Sequence, residues 1–237
     1  MNIALIFAGG VGKRMGLTIP KQFIEVEGKP IIVHTIELFE HNDAIDEIFL
    51  VIVDGYLEYM EDLIKKYNLT KIKGICKSGN SALDSIYNGL VEIEKKHKND
   101  NPIVLIHDGV RPFVDISVID KNIESVKKYG SAITSIPAFE TTLISRNGHS
   151  IDAVATRSET FVGQAPQSFY LNDIIDAHRI VRRNDDKYTD IVDCSNLMNV
   201  IGKTTYLVPG NRGNIKITTT EDLYTLKGFL LFKDSEL

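Results

Sequence analysis

The chain has 237 residues, 43% of them hydrophobic and 25% charged, with a formal net charge of −5. That length suits one large domain, or one domain with a small appendage, and the composition is that of a globular chain able to bury a sizeable core rather than a disordered one. The negative balance argues against a general nucleic-acid binder, so positive charge for an anionic substrate has to be gathered locally.

In chain order, Ile3–Phe7 is a short apolar run ending in glycines and reads as a buried strand. Pro30 opens a helix over Ile31–Phe39, with proline at the first helical position. Glu47–Val53 is a continuous β-branched run, as expected of a central parallel strand. Tyr56–Tyr67 reads as helix and Ile72–Ile75 as a short strand. Ser81 begins a further helix, with Asp84 three residues on completing a capping box. Ile103–His107 is another buried strand, Ile116–Tyr129 a helix and Ala132–Ile136 a strand. Strands alternating with helices predict a doubly wound α/β fold with a mostly parallel sheet, which binds ligands at the carboxyl ends of its strands.

Residues 138–163 break that rhythm. Thr141–Ile144 and Ile151–Ala155 flank Asn147-Gly148, a strong hairpin signal, so a projecting β-hairpin arm is expected. An isolated hairpin needs a partner for its apolar side chains, and a homodimer formed through this arm follows. Helices are expected at Leu171–Val181 and Cys194–Val200, strands at Thr204–Val208 and Asn214–Ile217, and a last helix from Thr219–Glu221. No apolar run approaches the roughly 20 residues of a bilayer span, and the first residues lack a signal peptide's basic region and cleavage site. A cytoplasmic protein without a membrane partner is expected. Cys76 and Cys194 stand far apart in no metal-ligand spacing and read as reduced thiols.

The chemistry-bearing segment follows the first strand. Gly9, Gly10 and Gly12 let backbone N–H groups turn toward a phosphate, and Lys13 and Arg14 add charge. A P-loop would require glycine at Phe7 and a hydroxyl residue at Arg14, and the dinucleotide fingerprint would require glycine or alanine at Met15. Both patterns fit poorly, which weighs against a nucleotide-dependent dehydrogenase.

Ala8–Met15 followed by Pro20-Lys21-Gln22 resembles the signature of sugar-phosphate nucleotidyltransferases. The Pro-Lys-Gln version is similar to the cytidylyltransferase branch that includes the ribitol-5-phosphate and 2-C-methyl-D-erythritol 4-phosphate enzymes. Lys77–Ser85, His107–Phe113, Gly163–Phe169 and Asn214–Thr218 carry the resemblance along nearly the whole chain, in order. It implies a Rossmann-like single domain over residues 1–237 that joins CTP to a phosphorylated polyol, with Mg2+ accompanying the nucleotide.

By the same resemblance, Arg14, Lys21, Arg157 and Lys216 are the catalytic cations, Arg157 acting across a dimer interface. Phe7, Ala8, Gly9, Gly10, Gly12, Lys13, Gly79, Asn80, Ser85 and Gly109 bind the nucleotide. Asp108, Arg111, Thr189 and Asp190 bind the alcohol phosphate, and Asp108 also approaches the metal. His107 reads instead as a strand-end histidine held by packing. An alternative register places the Thr-Asp aspartate at Asp193. The sequence departs from the family pattern at Ala82, where an arginine is usual, at Asn80, where an acidic residue is common, and at Ala165, where a threonine is usual. Tyr188–Ser195 is also two or three residues longer than usual.

Val110, preceding Arg111, and the segments Gly28–Thr35 and Asn214–Thr219 look more like the ribitol type. D-ribitol 5-phosphate, serving a teichoic-acid-like or capsular polymer, is therefore the expected acceptor. Methylerythritol phosphate, serving isoprenoid synthesis, is the alternative. A non-catalytic nucleotide sensor is the competing reading of another class. It predicts erosion of the charged set, yet Arg14, Lys21, Asp108, Arg111 and Lys216 are all present.

Overall fold

The computed structural model describes residues 1–10, 19–183, 188 and 191–233. Its centre is a seven-stranded sheet in the order β11-β7-β10-β6-β1-β4-β5. The strands are β1 (Asn2–Ala8), β4 (Glu47–Ile52), β5 (Ile72–Lys77), β6 (Ile103–Asp108), β7 (Ser131–Pro137), β10 (Phe161–Tyr170) and β11 (Leu207–Pro209). Only β10 runs antiparallel to its neighbours, β6 and β7; β1 pairs parallel with both β4 and β6. The remaining strands form two small ladders, β2 (Glu25–Val26) with β3 (Lys29–Pro30), and β8 (Leu143–Ile144) with β9 (Ala153–Val154).

Period-two alternation along the strands supplies two cores, one on each sheet face. Ala4, Ile6, Leu50, Ile52 and Leu105 face α1 (Ile31–Glu40), α2 (Leu57–Lys66) and α4 (Ile116–Tyr129). Ile3, Leu5, Phe49, Val51, Val104 and Ile106 face α3 (Ala82–Lys96), α5 (Leu171–Arg182) and α6 (Cys194–Val200). A smaller cluster, Val26, Ile31, Val110, Ile217 and Leu226, seats the last helix, α7 (Thr220–Lys233), beside the carboxyl end of β6. That cluster fixes the position of Lys216, because it buries the residue that follows it.

Several expectations are met closely, among them β1, β4, β6, α4 and α6. Others are corrected. Pro30 is the residue before α1, with an extended ψ of 143°, rather than its first helical residue. Ser81 caps α3 by accepting from Asp84 N at 3.0 Å, but the Asp84 carboxylate pairs with Arg182 at 2.7 Å instead of closing a capping box.

Asn214–Ile217 is not a strand. Its carbonyls accept from side chains: Arg111 Nη1 on Asn214 O at 2.8 Å and Lys21 Nζ on Ile217 O at 2.8 Å. One backbone bond, Ile217 N to Val110 O at 2.9 Å, ties the segment to the loop after β6. The strand expected over Thr204–Val208 forms ladder pairs only from Leu207 onward.

The hairpin forms as expected, with Leu143 opposite Val154, and residues 139–154 are all exposed. Its connection is longer than a two-residue turn. Asn147 Oδ1 accepts from the backbone N–H groups of His149 and Ser150, each at 2.9 Å, in an Asx-type arrangement, and Gly148 takes a positive φ of 73°.

Candidate active site

The carboxyl ends of β1, β4, β5 and β6 open into one cleft of about 650 Å³, as expected where strand ends meet in an open α/β sheet. Phe7, Ala8, Gly9, Gly10, Lys21, Gly79, Asn80, Ser85, Asp108 and Lys216 all line it. Two loops approach so closely that side chains are excluded. A Cβ on Gly9 would sit 2.5 Å from Ser78 Cβ, and one on Gly79 would collide with Asp84. Glycine is therefore a packing requirement at both positions, in addition to any service to a ligand.

Ser85 is buried. Its hydroxyl accepts from Gly79 N at 3.0 Å and donates to Ser81 O at 2.8 Å, so it shapes the Lys77–Ser85 loop from within. Lys21 stands in a 3₁₀ turn, Lys21–Phe23. Gln22, the buried neighbour of Lys21, pins that turn to the end of β1 by donating to Ala8 O at 2.7 Å. Phe23 stacks on Tyr56 with ring centroids 4.9 Å apart, securing the turn from its other side.

A second, smaller cavity of about 210 Å³ adjoins the cleft. It shares Phe7, Ala82, Asp108 and Lys216 with the cleft and adds Arg111, Gln164, Gln167, Val192 and Asp193. Asp108 lies at the junction and is buried. Its Oδ2 accepts from Arg111 Nε at 2.8 Å, and its Oδ1 pairs with Lys216 Nζ at 2.5 Å. Burial raises the Asp108 carboxyl pKa, but Lys216 and Arg111 more than reverse that and hold it at about 2. The arrangement is one fixed anion held between two cations, each beside a cavity.

His107 meets the packing expectation. It is fully buried, its ring lies 5.0 Å from Phe39, and Nε2 is 3.1 Å from Arg111 O. Burial pulls its pKa down to about 4, and burial likewise pulls that of His178 down to about 3. Both stay neutral in the folded chain while the unfolded chain protonates near pH 6.5. Stability is therefore lost as pH falls from 6.5 toward 4, with a slope approaching about 1.4 kcal/mol per pH unit for each histidine. The denaturant-derived unfolding free energy should drop by at least about 2 kcal/mol between pH 7 and pH 5. An unchanged value would show that the two rings are not held neutral.

Arg157 lies elsewhere. It lines a separate depression with Glu140, Thr141 and Val154, and its Nη2 donates to Thr141 Oγ1 at 3.5 Å. Gly109 adjoins the cleft without lining it, and its N–H donates to Phe7 O at 2.9 Å. Gly12, Lys13, Arg14, Thr189 and Asp190 lie outside the described residues.

Among the residues of the smaller cavity that the sequence does not single out for a role are Gln164, Gln167 and Val192. The Gly163–Phe169 motif signalled the two glutamines without assigning them. The alternative aspartate, Asp193, reaches this cavity. It caps α6 by accepting from Asn196 N at 2.8 Å and accepts from Gln167 Nε2 at 2.8 Å.

The family model for 2-C-methyl-D-erythritol 4-phosphate cytidylyltransferase (IspD) matches residues 2–231. The chain belongs to this cytidylyltransferase family. It is 44% identical over 237 residues to a ribitol-5-phosphate cytidylyltransferase of Streptococcus agalactiae serotype V, covering 100% of this chain and 98% of that one. It is 41% identical over 223 residues to a 2-C-methyl-D-erythritol 4-phosphate cytidylyltransferase of Clostridium botulinum strain Okra, covering 94% of each chain. The crystal structure of 4-diphosphocytidyl-2C-methyl-D-erythritol synthase from Anaerococcus prevotii superposes with a TM-score of 0.81 at 28% identity, covering 97% of this chain and 96% of that one. The protein is thus a nucleotidyltransferase with a Rossmann-like fold, and neither the sensor nor the dehydrogenase reading is retained. Among the described residues no helix is long and apolar enough to cross a membrane.

Proposed function

We propose that this cytidylyltransferase transfers CMP from CTP to D-ribitol 5-phosphate, giving a CDP-alcohol and pyrophosphate. The observation that carries the reading is the junction of the two cavities at Asp108, where Lys216 and Arg111 converge and Lys21 stands in the same cleft. Two anionic ligands, one in each cavity, would meet at that set of cations.

An oxygen of the acceptor phosphate attacks the α-phosphorus of CTP in line, the bond to the bridging oxygen breaks, and pyrophosphate leaves with that electron pair. The nucleophile is already an anion, so no strong general base is required. Positioning and charge stabilisation do most of the work. Lys21 faces the nucleotide side, while Lys216, lining both cavities, bridges to the acceptor phosphate. Gly9 and Gly10 bring the backbone close to the triphosphate. Arg14 would join the same set.

Magnesium would come with the nucleotide phosphates, its usual mode of binding, and supplies charge neutralisation there. Among the described residues there is no ready cage for it. Both Asp108 oxygens are engaged by cations, and among the described residues no group of three or more His, Cys, Asp or Glu could hold a metal. A metal on Asp108 would share the carboxylate with Lys216 and Arg111.

Full-length 44% identity to the ribitol-5-phosphate relative supports the pentitol, and the product would feed a teichoic-acid-like or capsular polymer. The methylerythritol reading is favoured by the family model that matches residues 2–231. Pyrophosphate release measured with CTP, Mg2+ and a panel of polyol phosphates tests the proposal. Turnover is expected with D-ribitol 5-phosphate, and none with any polyol phosphate would defeat it.

The exposed Leu143, Ile144, Ile151 and Val154 of the 138–163 arm support a homodimer, because an isolated two-stranded hairpin cannot bury them itself. Arg157, on the same arm and away from its own chain's cleft, would then serve the partner's site. Mixing Arg157→Ala with Lys21→Ala protomers should restore activity, since the hybrid holds one site with an intact Lys21 and an intact arginine from the other chain. Absence of recovery in verified hybrids would rule out a shared site.

A further inference from the structure

Three cavities meet at one side chain. Ala82, the first residue of α3, lines the nucleotide cleft, the acceptor pocket and a third chamber of about 410 Å³. No other described residue lines all three. The third chamber is bounded by Asn80, Ser81, Asp84, Tyr188, Ile191 and Val192, together with Leu83. It shares Val192 with the acceptor pocket and Asn80 and Ser81 with the nucleotide cleft.

The frame around Ala82 is rigid. Ser81 caps the helix through Asp84 N, Asp84 is paired with Arg182 at 2.7 Å, and Leu83, Ser85 and Ile86 are buried. Arg182 also donates to Tyr188 OH at 3.1 Å, which fixes the opposite wall of the chamber to the same helix end. Ala82 itself is exposed into the cleft region, so a longer side chain there would project into the space the three cavities share.

We infer that Ala82 is a specificity-determining residue. Its methyl group leaves the acceptor pocket continuous with the third chamber, and the hydroxyl-bearing end of an extended polyol phosphate lies in that chamber. This rests on the reading that the acceptor's phosphate is held near Asp108, Arg111 and Lys216. On that reading, each added carbon carries the chain further along the pocket toward Val192 and the third chamber. Ser81 Oγ, although it accepts from Asp84 N, keeps a proton to donate. One methylene more or less in a hydrophobic pocket changes discrimination by about 10- to 200-fold, and Leu83, Ile191 and Val192 give the chamber apolar walls.

The test is Ala82→Leu, a change to a good helix former at a helix start. Wild type and variant are compared for kcat and KM with D-ribitol 5-phosphate and with the four-carbon-chain 2-C-methyl-D-erythritol 4-phosphate. Calorimetric binding of both alcohols to the CTP-loaded proteins runs alongside. The variant is expected to shift the five-carbon to four-carbon ratio of kcat/KM, or of affinity if turnover is lost, by at least about tenfold toward the shorter chain. The shift should reside in the acceptor KM. A ratio moved less than threefold, or moved toward the longer chain, overturns the inference. If wild type turns over and binds neither alcohol, it is the proposed function that fails, and the two failures are separable on the wild-type data alone.

Discussion

Lys21→Ala should lower kcat by about 10²- to 10³-fold while the protein stays folded, the usual cost of removing one charge-stabilising donor from a transition state. Lys21 lines the larger cleft on a turn fixed by Gln22 and Phe23, so truncating it removes the charge without disturbing its support. The hydrogen bond it loses, to Ile217 O, is worth about 1 kcal/mol of stability. Turnover followed by pyrophosphate release, with circular dichroism to verify folding, measures this. Near-normal kcat in a folded Lys21→Ala protein would remove Lys21 from the mechanism.

Asp108→Ala is expected to act on stability and activity together. It leaves Arg111, which is nearly as buried as Asp108, and Lys216 without their shared counter-charge. Breaking a buried pair by removing one partner costs about 3–5 kcal/mol. The remaining cations should then attract any anion, so inorganic phosphate should raise the melting temperature of the variant more than that of wild type. kcat/KM for the acceptor should fall at least about 100-fold, which corresponds to about 2.7 kcal/mol, because Lys216 loses the contact that aims it. A variant unfolding within about 0.5 kcal/mol of wild type, the range of a neutral surface change, would contradict this electrostatic account.

The parts of the fold that were legible in the sequence are those governed by local pattern. The apolar runs of β1, β4 and β6, the Ser81 cap of α3 and the periodic face of α4 each carry their own signal. What was not legible depended on distant partners. Ile215-Lys216-Ile217 alternates like a strand, yet its neighbouring carbonyls are taken by Arg111, Gln164 and Lys21, and these meet it only after folding. β10 carries a motif signal in the sequence but no strand signal. Gly163 and Pro166 interrupt its pattern, and the ladder with β7 shifts register between Gly163 and Gln167. Asp84 had the spacing of a capping box, and a longer-range ion pair with Arg182 claimed its carboxylate.

The candidate site divides in the same way. The glycine loops and Lys21 were legible because close backbone approach demands particular residues at fixed spacing. The pairing of Asp108 with both Arg111 and Lys216, and the entry of Gln167 and Asp193 into the smaller cavity, come from bringing β6, β10 and the residue 214–217 segment together. The alanine at position 82 stood out in the sequence as a missing arginine. In the fold it is the place where three cavities join.

The proposed acceptor of this cytidylyltransferase is a pentitol phosphate. The most direct measurement is a competition: the wild-type protein is given CTP, Mg2+ and equal concentrations of D-ribitol 5-phosphate and 2-C-methyl-D-erythritol 4-phosphate. The nucleotide products are then resolved by mass spectrometry and phosphorus NMR. CDP-ribitol is expected to exceed the methylerythritol product by at least about tenfold, the discrimination one chain carbon can provide. A predominance of the methylerythritol product would contradict the account.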